Sequence, residues 1–146
     1  IRRRNRRVRR FPLPGTLRFD SYRQWAEEIL PGLRAALAGG RAVPPQTTFS
    51  EAWLTDALFY YERPLSLEEV IESADAINHG IPNPDEIAWA FLRLRKRGWF
   101  VIEGDQYGLT AEGRRAIEVI VTQDKLSWRV GRLQEWFSAH PPPDEE

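Results

Sequence analysis

Between Thr48 and Val121 the chain carries a succession of helix starts and stops that fixes an order of elements. Thr48 and Glu51 have capping-box spacing, where a hydroxyl takes the N–H three residues on and the carboxylate returns to the cap's own N–H. Trp53, Leu54, Ala57, Leu58 and Tyr61 follow at helical spacing, and Pro64 stops the run. Ser66 and Glu69 repeat the box ahead of Val70, Ile71, Ala74 and Ile77, a helix closed by His79-Gly80. Asn83-Pro84-Asp85-Glu86 is the strongest start. It offers an Asn cap, a proline at the first position, where the missing N–H is harmless, and two acids over the positive helix end. Ile87, Phe91 and Leu94 form that helix's core stripe, and Gly98 ends it.

At Trp99 the pattern changes. Trp99–Ile102 reads as a strand, Gly104-Asp105-Gln106 as a tight turn, and Tyr107–Leu109 as the return strand. Thr110 then caps a helix through Arg114, Ile117 and Ile120. The expectation is a mainly α fold with a small β-hairpin. The stretch Phe91-Leu92-Arg93-Leu94-Arg95-Lys96-Arg97-Gly98-Trp99-Phe100, with Tyr107-Gly108-Leu109-Thr110-Ala111-Glu112-Gly113-Arg114-Arg115, resembles the end of a winged helix-turn-helix domain, as in bacterial regulators of the PadR and MarR type. The resemblance covers about half the chain. It implies a winged helix over 48–121, a recognition helix over 84–97, a wing tip at Gly104–Gln106, and DNA binding.

The expected recognition helix has a mixed outer side. Counting about 100° per residue from Ile87, the core side holds Ile87, Ala90, Phe91 and Leu94, and the opposite side Trp89, Leu92, Arg93 and Lys96. Arg93 and Lys96, with Arg97 and Arg114, are the candidate cations for phosphates or base edges. Trp89 and Leu92 suit a protein interface better. The wing carries Glu103 and Asp105 and lacks a cation.

Charge is strongly segregated. The chain's 21 basic and 21 acidic residues cancel, but Arg2, Arg3, Arg4, Arg6, Arg7, Arg9 and Arg10 crowd the first ten positions without an acid. The rest holds the other 14 basic residues against all 21 acids, a balance of −7. A cluster of like charges resists folding and reads as an arm for DNA or RNA phosphates, or as a solvated or targeting tail. An acidic partner protein is the next choice for it.

Flanking segments complete the plan. Residues 1–15 are expected to be a basic arm and linker, closed by Pro12 and Pro14. Within 16–47, Ser21 and Gln24 cap a helix to Leu30 bearing Tyr22, Trp25 and Ile29. Pro31-Gly32 interrupts it ahead of a short piece, Leu33–Ala38. Over 122–140, Leu126, Val130, Leu133 and Phe137 recur at spacings of four, three and four. That stripe serves either as a homodimer seam or as the face of a helix folded back on its own domain, against Trp25 and Ile29. Residues 141–146, a proline triplet and three acids, read as a disordered acidic tail.

Enzymatic function is not expected. The two histidines, His79 and His140, lack metal-ligand partners at a recognised spacing, and Gly39-Gly40 lacks the sequel of a phosphate loop. No cofactor or metal is implied. The absence of cysteine excludes a disulfide framework and a thiolate zinc site. No membrane span is expected, and the cytoplasm is the expected compartment, with nucleus and organelle left open. With no methionine and Ile at position 1, the chain is expected to be part of a longer one. Two functions remain: a DNA-binding regulator, dimeric, using the arm and the 84–97 helix, or a winged-helix protein-interaction subunit of a larger nucleoprotein or other complex, anchored by Trp89 and Leu92.

Overall fold

The computed structural model describes residues 19–39, 48–122 and 128–143. Their elements are α1 (Phe19–Gly39), α2 (Thr48–Phe59), β1 (Leu65–Ser66), α3 (Leu67–Asn78), α4 (Pro84–Arg97), β2 (Phe100–Glu103), β3 (Gln106–Leu109), α5 (Ala111–Thr122) and α6 (Arg129–Ala139). The described part is mainly helical with one small antiparallel sheet of strand order β1-β3-β2.

Most expected helix ends are present, because caps are local chemistry. Ser66 and Glu69 form the reciprocal box at the start of α3. Asn83 and Glu86 do the same before α4, with Pro84 at the first position. Gly98 ends α4 at φ +81°, a left-handed conformation that favours glycine. Thr110 Oγ1 accepts the Gly113 N–H at the head of α5. A side chain at Gly113 would sit 2.6 Å from Cβ of Trp99, so this helix is set against the start of the hairpin by the missing Cβ.

The hairpin is tighter than expected. Glu103 pairs with Gln106, leaving only Gly104 and Asp105 in the turn. Leu65 and Ser66 add a third strand by pairing with Tyr107 and Gln106. Two residues carry no readable period, and this strand exists only because β3 lies beside it.

The core gathers around α2, whose residues Ser50 to Leu58 are all buried. α3, α4 and α6 pack around it, and β3 touches it. Trp53 is fully enclosed yet satisfied, its indole N–H donating to the Ala74 carbonyl at 2.9 Å. Glu51 was expected to cap α2. Its carboxylate instead binds arginines of α4 across the core.

Two expectations about the flanks are corrected. Pro31 does not break the first helix: α1 runs uninterrupted through it. Proline leaves the Glu27 carbonyl without its helical N–H, but both residues are exposed, so water can satisfy that carbonyl. Ala26, Ile29, Leu33 and Leu37 form the seam that holds α1 against α3 and α4. Of the two readings of Val130, Leu133 and Phe137, a homodimer stripe or the face of a helix folded back on its own domain, the structure has the second, with all three completely buried where α6 packs on α2 and α5 and not on the Trp25–Ile29 face of α1. A face already covered within the chain cannot serve a second copy. Leu126, the fourth residue of that stripe, lies outside the described residues, as do the seven arginines of positions 1–10.

Candidate nucleic-acid and partner interface

The 84–97 helix was expected to present one broad outer side. In the structure it lies between two neighbours. On one flank, Arg95 donates to the Leu37 carbonyl of α1 at 2.8 Å, and Ala88 and Leu92 on the same arc are buried. On the other flank, Glu86, Arg93 and Arg97 turn toward α2, where Ser50 Oγ approaches Glu86 and both arginines reach Glu51. Asp85, Lys96 and a half-buried Trp89 remain as the outer stripe.

Arg93 and Leu92 are therefore corrected. Arg93 is 2% exposed and bonds Glu51 Oε1 at 2.8 Å, while Leu92 is 3% exposed. A helical wheel finds one core side, but this helix has buried partners on three sides. Arg97 is likewise committed. It bonds Glu51 Oε2 at 2.7 Å and the His140 carbonyl at 2.6 Å, and its guanidinium sits 4.4 Å from the Phe137 ring centre and about equally far from Trp99 and Trp136, at 5.6 and 5.5 Å. It joins α2, α4 and α6. Arg114 donates to the carbonyls of Phe59 and Tyr61, closing the C-terminal end of α2, and stacks over Phe59. Of the four cations expected on the nucleic-acid surface, Lys96 is the exposed one.

The wing turn projects beside α1. Asp105, with Arg23 and Glu27 of α1 and Glu68 of α3, borders an open groove of about 240 Å³, within which Arg23 pairs with Glu68 at 3.6 Å. Tyr22 of α1 donates to Asp75 of α3 at 2.6 Å, and burial together with that carboxylate pushes its phenol well above the usual range. Burial also raises the Tyr107 phenol, against an opposing influence of Arg34 from α1. Helix α1 is thus bound to α3, α4 and the sheet by polar as well as apolar contacts.

A second surface went unnoticed in the sequence. Tyr60 and Tyr61, 62% and 38% exposed, meet edge to face past the end of α2. Tyr61 had been placed on the inward stripe. α2 ends at Phe59, so Tyr61 falls outside the helical spacing that the stripe assumes. Arg63 lies over the Tyr61 ring at 5.6 Å and Arg129 over Tyr60 at 5.9 Å.

Among the described residues no cluster of His, Asp or Glu is placed to hold a metal, and no helix is long and apolar enough to cross a membrane. No family model matches the chain, and neither a curated protein nor a solved structure matches it.

Proposed function

We propose that this chain is a non-enzymatic, winged-helix type docking module, a protein-interaction subunit of a nucleoprotein assembly. The winged-helix reading is supported by the element order and by the sheet order β1-β3-β2 in residues 48–122, a helix-strand-helix-helix frame closed by a two-stranded wing. The observation that carries the docking reading is the environment of α4. A helix reads a major groove of about 12 Å only if it stands proud of its neighbours, since with side chains it is itself about 10–12 Å wide. Here α1 and α2 flank it, and its solvent-facing residues past the first position are Asp85, the half-buried Trp89, Lys96 and Arg95, the last of these bonded to the Leu37 carbonyl of α1. One acid, an aromatic anchor and two cations, of which Arg95 is already bonded to α1, suit a protein better than a phosphate backbone.

In this reading nucleic-acid affinity belongs to the arginines of positions 1–10 and the body supplies the docking face. Val130, Leu133 and Phe137, three of the residues on which a homodimer was expected to rest, are inside, so this reading does not use them as a seam between copies. The test combines two variants. Trp89→Ala should abolish partner co-purification while duplex affinity and its salt dependence stay unchanged. Deleting residues 1–10 should weaken duplex binding and flatten the salt slope. Loss of duplex binding in Lys96→Ala with the arm intact would return α4 to the role of a DNA-reading helix.

A further inference from the structure

We propose that the pocket beneath Tyr60 and Tyr61 binds a cationic side chain, arginine or lysine, from an extended basic segment of a partner protein. It shares no residue with the α4 stripe, so it goes beyond the docking role above. The cavity, about 210 Å³, is lined by the two tyrosines from the end of α2 and by Glu72, Ser73, Ala76 and Ile77 of α3. That is below the size of a typical small-molecule site and suits one side chain. Aromatic faces beside a carboxylate are the chemistry that selects a cation.

The structure supplies the matching electrostatics. Both rings already attract guanidinium groups of their own chain, Arg63 and Arg129. Each resident arginine is balanced by an acid, Arg63 by Glu69 at 3.1 Å and Arg129 by Asp56 at 2.9 Å. Glu72 is the one charged residue lining the pocket, and Glu62 is exposed next to Tyr61. A phosphate would meet that carboxylate with no uncommitted cation lining the pocket, whereas a basic side chain complements it. The balance of −7 over residues 11–146 favours a basic partner in the same sense. Ser73 is held apart from the ligand, since its hydroxyl donates to the Ala57 carbonyl at 3.0 Å.

The test uses the full chain, amide-resolved NMR, a short Gly-Arg repeat peptide, and the same peptide with citrulline for arginine. The arginine peptide should shift amides of residues 58–62 and 72–77, and the citrulline peptide should not. Tyr60→Ala should weaken binding about fivefold, Tyr60→Phe should restore it, and Glu72→Gln should weaken it in a salt-dependent way. Tyr60 is mostly exposed, so these variants keep the fold. Equal binding of the citrulline peptide, unchanged affinity in Tyr60→Ala, or the same amides shifting with a short RNA would each overturn the proposal. So would a lack of response to any peptide, which would mean that no partner cation enters here.

Discussion

The two ends of α2 use the same chemistry to opposite purposes. At its start, Glu51 gathers Arg93 and Arg97 into a site where the carboxylate is fully buried and the arginine side chains are 2% and 4% exposed, with aromatic rings around Arg97. At its far end, Arg63 and Arg129 lie on tyrosines with 53% and 40% of their side chains in solvent. Arginine, acid and aromatic ring recur in both. Burial of the arginines separates them, since even the enclosed Asp56 is met by an Arg129 that is 40% exposed. Removed from water, an arginine–carboxylate set joins helices, and losing one partner leaves an uncompensated charge. Left in water, as Arg63 and Glu69 are, such a pair is weakly coupled.

The largest expected effect tests the buried end. Glu51→Ala strands two guanidinium groups in the core and should destabilise the fold by about 3–5 kcal/mol in urea unfolding. A change below about 1 kcal/mol would erase the contrast, since it would place the buried end in the range of an exposed ion pair. Arg97→Lys comes next. Lysine keeps the charge but loses the planar fork and the stacking on Phe137, and should cost about 1–3 kcal/mol by the same measurement.

Asp56, midway along α2, sharpens the comparison through pH. Burial raises its carboxyl above the ordinary value of 3.8, and Arg129 offsets this only in part. A group whose folded pKa is raised favours the fold when protonated, and that contribution is lost as pH rises through the folded value. Asp56→Asn should therefore match the parent at acid pH and exceed it at neutral pH. A variant weaker than the parent at neutral pH would mean that the Arg129 pair outweighs the burial of Asp56. The smallest effect belongs to the exposed end: Arg63→Ala should leave the unfolding midpoint unchanged. Its partner Glu69 is held below the usual carboxylate range, first by Arg63, so that variant should raise the Glu69 pKa in an NMR titration.

Much of this was legible because it is local. The boxes at Ser66–Glu69 and Asn83–Glu86, the left-handed stop at Gly98 and the turn at Gly104-Asp105 each depend on a few consecutive residues. The candidate site was less legible because its errors are all matters of neighbourhood. Arg93 and Leu92 sit opposite Ile87 on a wheel, as expected, but a wheel cannot say that α1 and α2 close over both flanks. Arg97 was read as a phosphate ligand because nothing near it in sequence announces a carboxylate 46 positions away. Glu51 was read as a cap for the same reason.

By itself, then, the sequence determined where α3 and α4 begin and end, where the period changes to a hairpin, and which stripes are apolar. These follow from backbone caps, proline and glycine geometry, and side-chain periodicity within a few residues. Only the tertiary structure decided which arginines are buried, that β1 forms at all, that the α6 stripe turns inward, and that Tyr60 and Tyr61 stay at the surface. Each of those depends on burial, which strengthens or cancels a charge according to the atoms packed around it, and those atoms come from distant parts of the chain.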